Sequence, residues 1–222
     1  MILENEKIKQ ALEYIKEEDP ATTQDTLNMC QIPAPSYKEE KKAEYIRERF
    51  REIGLRDVRI DAVGNVLGIW PGTGEGPSVM LAAHTDTVFP EGTDLSIRKE
   101  GNRYYCPGIN DDTHAVAEMI AVAKAMIHAD LHTKGDLIFC ANVCEEGLGD
   151  LRGVKYLFGY DNKASEECPE VDAFVSIDNH LPEEVVTVSR TLAFLIQSMQ
   201  WDEPSHRSQN SRSRKSRRQH LT

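Results

Sequence analysis

The sequence lacks the two features that would place the chain in a membrane or send it out of the cell. None of its apolar runs approaches the roughly 18 residues that a membrane-spanning helix requires. The N-terminal segment, residues 1–7, has no basic start followed by an apolar stretch, so it does not resemble a secretory signal. These absences predict a cytoplasmic protein without membrane association.

Cysteine is also scarce, and its spacing fits no known framework. The five cysteines are an odd number and are scattered along the chain. Cys140 and Cys144 are separated by three residues, but no second pair completes the spacing of a zinc finger. We therefore expect reduced thiols, as is usual for cytosolic proteins. The five residues are Cys30, Cys106, Cys140, Cys144 and Cys168.

Positive charge is in short supply over most of the chain. The net charge is −11, but residues 1–189 hold 19 basic and 35 acidic residues, a net charge of −16. Residues 190–222 reverse the balance, with seven basic residues against two acidic ones. An acidic body disfavours nucleic acid as a partner and suits metal cations.

The sequence does contain a regular alternation of helix-like and strand-like apolar patterns. With 222 residues, the chain is long enough for one sizeable domain with a buried core. Apolar spacing predicts helices at 4–18, 37–53, 113–128 and 151–158, and strands at 58–60, 66–70, 78–84, 135–143 and 171–177. A hairpin is predicted at 95–99 and 103–105. Near-continuous apolar strands between helices indicate an α/β domain with a mainly parallel central sheet.

Polar side chains follow three of the buried strands and precede one helix. Because the carboxyl ends of parallel strands share one edge of a sheet, these side chains are expected to converge there. So many carboxylates around one imidazole would repel one another unless a cation compensates them, and a divalent metal is the natural choice. The residues concerned are His84, Asp86, Asp111, Glu145, Glu146 and Asp178.

Each of these residues has a simpler interpretation when it is taken alone. Asp111 or Asp112, placed before a helix, is more often a helix cap than a metal ligand. His84 could be a hydrogen-bonded core histidine, and the Glu145-Glu146 pair could be solvated surface. The joint pattern is more specific than its parts, since every element lies at a strand end or a helix start.

Four stretches at this edge resemble the dizinc aminoacylase and carboxypeptidase-like metallopeptidases. That family includes peptidase T, acetylornithine deacetylase, succinyl-diaminopimelate desuccinylase and carboxypeptidase G. The matching stretches are Leu-Ala-Ala-His-Thr-Asp-Thr-Val-Phe-Pro at 81–90, Pro-Gly-Ile-Asn-Asp-Asp-Thr at 107–113, Val-Cys-Glu-Glu-Gly at 143–147 and Val-Asp-Ala-Phe-Val-Ser-Ile-Asp at 171–178. The resemblance covers roughly residues 20–197 and implies a three-layer catalytic domain.

The resemblance also implies a role for each motif residue. His84 and Asp178 would bind one metal ion, Asp111 would bridge two ions, and Glu146 would bind the second. Asp86 would orient the ring of His84, and Glu145 would be the general base for a metal-bound water that attacks an amide bond. The cofactor would be two divalent ions, Zn²⁺ or alternatively Co²⁺ or Mn²⁺. The substrates would be small peptides or N-acyl amino acids, so aminopeptidase, dipeptidase and deacylase all stay open.

The chain departs from the family pattern in two places. Relatives have Arg-Gly or Ser-Gly where this chain has His114-Ala115, and we interpret His114 as a helix-surface residue. In the family, a lid that mediates dimerisation follows the third acidic strand, and a later histidine binds the second metal. Residues 190–197 look like the first strand of that lid, but the pattern stops near residue 198.

We therefore expect residues 1–197 to be the N-terminal part of a catalytic domain whose lid and dimer contact are missing. Residues 198–222 form a basic tail, rich in serine and arginine, that should be disordered. A change of reading frame near residue 198 would explain this switch. The second metal site would then be incomplete, because none of the later histidines (His180, His206 and His220) has the family's context, and turnover would be impaired.

Two alternatives to an active hydrolase remain open. The chain could be a non-catalytic remnant of such an enzyme, which the missing histidine favours. It could instead bind nucleic acid through the basic segment at 212–218, since such segments bind phosphate. The net charge of −16 over residues 1–189 disfavours this last alternative.

Overall fold

The order of helices and strands follows the apolar pattern of the sequence. The computed structural model describes residues 2–159 and 165–178, all within one compact unit of the chain. The helices are α1 (Glu6–Glu17), α2 (Asp19–Cys30), α3 (Glu40–Glu52), α4 (His114–His128) and α5 (Arg152–Phe158). The strands are β1 (Arg56–Ile60), β2 (Val66–Trp70), β3 (Val79–His84), β4 (Arg98–Glu100), β5 (Arg103–Tyr105), β6 (Leu137–Asn142) and β7 (Ala173–Ser176).

Five of these strands form one central sheet in the order β1-β2-β6-β3-β7. β3 is parallel to both β6 and β7, whereas β2 is antiparallel to both β1 and β6. Four of the five strands therefore point the same way, which confirms the predicted mainly parallel sheet. The predicted hairpin forms separately from β4 and β5.

Helices cover both faces of the sheet. Val79, Leu81 and Ala83 of β3 pack with α3 and α4 in one hydrophobic core. Side chains alternate along a strand, so Met80 points to the opposite face, as does its partner Phe174 on β7. Phe158 of α5 packs edge-to-face on Phe174, with ring centroids 5.5 Å apart. The result is the predicted three-layer α/β architecture, in which the central strand β6 is buried along its whole length.

The register of the parallel strands explains how distant sequence segments meet. His84, the last residue of β3, is paired with Asn142, the last residue of β6. Ala82 is paired with Ser176 of β7, so Asp178 follows at the level of His84. Glu145 comes three residues after the end of β6. The carboxyl ends of three adjacent strands thus deliver their polar residues to one edge.

Helix α2 is absent from the prediction made on the sequence. Its residues, Asp-Pro-Ala-Thr-Thr-Gln-Asp-Thr-Leu-Asn-Met-Cys, show no apolar face that repeats with helical spacing. It is held by tertiary packing, because Met29 and Cys30 are buried in the core. The neighbouring helix α3 ends as predicted, with Gly54 in the left-handed region at φ +91° just beyond it.

Several of the expectations concern residues outside the described ranges. These are the lid strand at 190–197, the basic tail at 198–222 and the three later histidines (His180, His206 and His220). All five cysteines lie within the described ranges and are free thiols, as predicted. Over residues 2–159 and 165–178, no helix is both long enough and apolar enough to cross a membrane.

Candidate metal centre

Two groups of potential metal ligands share His84 at the carboxyl edge of the sheet. One group is His84, Asp111 and Asp178, and the other is His84, Glu145 and Glu146. Within each group, the ligand atoms lie within 4.8 Å of one another. The structure therefore brings together all four residues that the sequence analysis assigned to metal binding, and it places Glu145 beside them.

His84 is held with one ring nitrogen facing the site and the other facing the protein. Nε2 lies 3.0 Å from Oδ1 of Asp111, while Nδ1 lies 3.1 Å from the carbonyl oxygen of Asp86 and 3.4 Å from its Oδ1. The backbone N–H of His84 donates to Oδ2 of Asp112 at 2.9 Å. Metal-binding histidines are typically oriented in this way, with the second nitrogen bonded to a carboxylate or a carbonyl group.

Asp86 connects three segments of the chain. It is fully buried, and its carboxylate accepts hydrogen bonds from the Ser36 hydroxyl at 2.7 Å and from the amides of Glu145 and Glu146 at 2.8 and 3.1 Å. Burial opposes the charge on Asp86, but these donors and His84 outweigh it and lower the pKa of the carboxyl group. An ionised Asp86 can therefore fix His84 and the two glutamates together.

Asp111 reaches the site from an irregular turn before α4. Gly108 has φ +71°, and a Cβ atom there would lie 2.6 Å from the Thr87 side chain, so only glycine fits. Asp111 and Asp112 both have non-helical backbone angles, and no side chain caps the N-terminus of α4. The interpretation of these aspartates as helix caps is therefore wrong. Asp111 is half-exposed at the site, whereas Asp112 is buried.

The pKa values show that the site carries more negative charge than its surroundings can offset. Burial and the neighbouring carboxylates raise the pKa of Glu145 and Glu146. Burial, together with Asp178 and Asp111, raises the pKa of Asp112 to about 8. Burial disfavours the charged imidazolium of His84, but its hydrogen bond to Asp86 and the surrounding carboxylates outweigh this and raise its pKa to about 10. The proton on His84 thus lies where a cation would bind.

The donor set suits a divalent cation on chemical grounds. It offers one imidazole nitrogen and several carboxylate oxygens, a combination that Zn²⁺, Co²⁺ and Mn²⁺ all accept. Oδ1 of Asp112 is buried behind the site and has no hydrogen-bond partner in the described part of the chain. A buried oxygen without a donor is costly, so this atom is a further sign of excess acceptors at the edge.

Four polar residues around the site, three of them buried, were not identified from the sequence. Ser36 bonds to Asp86, and the carboxylate of Glu39 accepts from the amide of Cys144 at 3.0 Å. Asp112 bonds to the His84 amide, and Lys42 lies buried beneath the same region. Glu39 and Lys42 lie in or beside a charge-rich helix, a pattern typical of a solvated surface. No sequence signal marks them as buried.

His114 is placed as the sequence analysis interpreted it. Its side chain is half-exposed on α4 and lies 3.0 Å from Glu118, one helical turn further along. This ion pair raises the pKa of His114, with the hydrogen bond to Glu118 as the largest cause. His114 belongs to neither of the two ligand groups found among the described residues.

Two proteins with similar sequences are named as a hydrolase and a desuccinylase. A LysW-lysine/LysW-ornithine hydrolase of Pyrococcus abyssi is 35% identical over 120 residues, which cover 54% of this chain and 32% of that protein. The succinyl-diaminopimelate desuccinylase of Corynebacterium glutamicum is 29% identical over 153 residues, which cover 69% of this chain and 40% of that protein. The chain thus spans about a third to two fifths of the length of these relatives.

A solved structure shares the fold, and a family model matches the sequence. The YXEP protein of Bacillus subtilis, described as a dinuclear metal binding peptidase, aligns with a TM-score of 0.51 at 16% identity, over 74% of this chain and 44% of that one. The model of peptidase family M20/M25/M40 matches residues 80–204, more than half of the sequence and all four motif segments. The chain is a member of peptidase family M20/M25/M40.

Proposed function

We propose that this chain provides the catalytic edge of a metal-dependent hydrolase that cleaves amide bonds in small peptides or N-acyl amino acids. The observation that carries the proposal is the convergence of His84, Asp111, Glu145, Glu146 and Asp178, with their ligand atoms within 4.8 Å of one another in each group. Side chains from four separate segments meet at one sheet edge, where ligands of α/β proteins bind.

Two divalent ions are the proposed cofactor. His84 and Asp178 would hold one ion, Glu146 the other, and Asp111 would lie between them. The description of the related Bacillus subtilis protein as a dinuclear metal binding peptidase supports two ions rather than one. Zn²⁺ is the proposed metal, with Co²⁺ and Mn²⁺ compatible with the same donors. We propose the tighter site at His84, Asp111 and Asp178, because three of the described residues would bind that ion, whereas only Asp111 and Glu146 among them would bind the other.

Glu145 is the proposed general base. When bound, the ions would polarise the amide carbonyl and lower the pKa of water. The Glu145 carboxylate would accept the proton of the attacking water and pass it to the leaving nitrogen. Burial raises the pKa of Glu145 above the ordinary range of a glutamate, which suits a group that must take up and release a proton. Asp86 would keep the His84 ring in place.

The names of the relatives support the proposed substrate class. A LysW-lysine/LysW-ornithine hydrolase and a succinyl-diaminopimelate desuccinylase both point to an amide bond next to an amino acid. Small peptides and N-acyl amino acids are therefore the substrates to test. The cytoplasmic location stays a prediction. What the sequence analysis expects of the lid and its dimer contact, of the second metal site and of the tail also stays a prediction, since it concerns residues outside the described ranges.

The experiment that tests this function replaces Glu145 with glutamine. Glu145→Gln keeps the size of the side chain but removes its ability to accept a proton. In the metal-loaded full chain, the rate of hydrolysis of dipeptides and N-succinyl amino acids should fall about 10²- to 10⁴-fold. Bound metal, measured by atomic emission, should change little.

The matched control is Glu17→Gln, at an exposed position at the end of α1. This variant should hydrolyse the same substrates at the rate of the unmodified chain. The proposal fails if Glu145→Gln retains that rate, or if the unmodified chain binds no divalent ion. A chain that binds metal but hydrolyses none of these substrates would support the non-catalytic alternative instead.

A further inference from the structure

A buried lysine lies directly beneath the candidate metal centre and has no part in the proposed chemistry. Lys42 of α3 is only 2% exposed, and burial lowers the pKa of its ammonium group to about 8. In the described part of the chain, no carboxylate forms an ion pair with it. Burying a charged lysine is costly, so its retention at this position calls for a compensating role.

The contacts of Lys42 join the two segments that carry the candidate ligands. Its Nζ donates to the carbonyl oxygen of Thr85 at 3.2 Å and to the hydroxyl of Thr113 at 3.1 Å, and all three groups are buried. Thr85 follows His84 directly at the end of β3. Thr113 comes two residues after Asp111 at the start of α4. One ammonium group therefore connects the strand end to the helix start.

We propose that Lys42 is a positioning residue for the metal centre. By bonding to Thr85 and Thr113 together, it fixes the strand end that carries His84 against the turn that carries Asp111. The two ligands are then held 3.0 Å apart before any ion binds. The inference rests on the proposed metal centre, but it concerns a residue that belongs to neither of the two ligand groups.

Because Lys42 is positively charged, the direction in which metal affinity changes on its removal distinguishes a loss of charge from a loss of positioning. An ammonium group near the site repels cations, so loss of its charge alone would strengthen metal binding. Loss of positioning would weaken it, as removal of groups that orient metal ligands typically costs 10- to 100-fold in affinity. Weaker binding after removal of Lys42 can therefore be attributed to lost positioning and not to lost charge.

The experiment compares Zn²⁺ affinity in the full chain and in Lys42→Met, by competition with a fluorescent chelator at pH 7. Methionine is similar in length, but it carries no charge and cannot donate a hydrogen bond. We expect about tenfold weaker Zn²⁺ binding. The matched control is Lys41→Met, which removes an exposed lysine one position away and should leave the affinity unchanged.

A second variant keeps the test decisive if Lys42→Met does not fold. Thr113→Val removes one acceptor of Lys42 but retains the charge, and it should also weaken Zn²⁺ binding several-fold. Unchanged or tighter binding in a folded Lys42→Met, or unchanged binding in Thr113→Val, would overturn the inference. A lower unfolding temperature of the metal-free variant with unchanged affinity would indicate a purely structural role and would overturn it as well. Absence of Zn²⁺ binding in the unmodified chain would instead refute the proposed function.

Discussion

Two regions of this protein bury carboxylates, and they satisfy them in different ways. In the turn between β1 and β2, Oδ1 of Asp61 accepts the amides of Val63, Gly64 and Asn65 at 2.9–3.0 Å. Its Oδ2 accepts from the side chain of Asn65 at 2.6 Å. Every oxygen of this buried carboxylate has a donor from the same short segment.

The carboxyl edge of the sheet is the opposite case. There, Asp111, Glu145 and Glu146 face His84 and one another, and Oδ1 of Asp112 has no donor from the described residues. Donors are abundant only around Asp86, which orients the rest. The comparison teaches that burial of acid is not in itself a sign of function. An excess of acceptors over donors is what indicates that an external cation belongs at the site.

The largest expected effect is on metal binding when Asp111 is removed. Asp111→Ala deletes the carboxylate that lies closest to Nε2 of His84, so Zn²⁺ affinity should fall at least about 100-fold, or about 2.7 kcal/mol. The unfolding temperature of the unmodified chain should rise on addition of Zn²⁺, and this rise should be lost in the variant. Calorimetric titration and thermal unfolding would measure both effects. Equal Zn²⁺ affinity in the two proteins would contradict the excess of acceptors as the basis of the site.

Asp61→Ala should lower the stability of the fold and leave metal binding unchanged. It removes the acceptor of three backbone amides and of the Asn65 side chain, so we expect the free energy of unfolding to fall by about 2 kcal/mol. Urea denaturation of the metal-free chain would measure the loss. Zn²⁺ affinity should be unchanged, because the turn contributes no ligand. If Asp61→Ala weakened Zn²⁺ binding as much as Asp111→Ala does, the distinction between the two regions would be lost.

The pH dependence of metal binding gives a third, smaller effect. Without metal, the pKa of His84 is raised to about 10, so between pH 6 and 8 its ring carries a proton that must leave before Nε2 can bind a metal. Zn²⁺ affinity should therefore rise with pH, by about tenfold per unit for each proton released, or about 1.4 kcal/mol. Titration in buffers of different ionisation enthalpy would count the protons.

The same shift predicts a change of opposite sign for the metal-free chain. Because the folded pKa of His84 lies above its ordinary value, the contribution of His84 to stability is fully present below about pH 6.5. It should be lost as the pH rises toward 10. For metal binding, a Zn²⁺ affinity that stays constant between pH 6 and 8 would show that the proton released on binding does not come from His84.

The convergence at the candidate site could be predicted from the sequence because most of its residues lie at strand ends. His84, Glu145 and Asp178 each follow an apolar run that is typical of a buried strand, and parallel strands present their carboxyl ends at one edge. The α/β domain with a mainly parallel sheet was predicted from the same runs, whereas its three layers were implied by the resemblance to the metallopeptidases. Local pattern and global fold agree in these segments, so little information about distant contacts was needed.

The residues that were missed depend on partners far away in the chain. Helix α2 has no apolar periodicity and is stabilised by packing against α4 and the core. Lys42 lies in a charge-rich helix that the sequence pattern assigns to solvent. Its hydrogen-bond acceptors, Thr85 and Thr113, lie 43 and 71 positions further along the chain. Ser36 lies in a Pro-rich loop, and nothing in the sequence indicates that its hydroxyl donates to Asp86. Such burial is a property of tertiary contacts, which periodicity and spacing do not encode.

The smallest effect on Zn²⁺ affinity is expected from Ser36, which donates a hydrogen bond at the acceptor-rich carboxyl edge of the sheet. Ser36→Ala removes the hydroxyl that donates to Asp86 at 2.7 Å, but the amides of Glu145 and Glu146 remain. Asp86 would then hold His84 less firmly, and Zn²⁺ affinity should fall a few-fold, or about 1 kcal/mol. Ser96→Ala is the matched control, because it removes a similar bond, from Ser96 to Asp94 at 2.6 Å, at an exposed site. If the two variants bind Zn²⁺ equally, the Ser36 hydroxyl is not needed to hold Asp86, and the amides of Glu145 and Glu146 are sufficient.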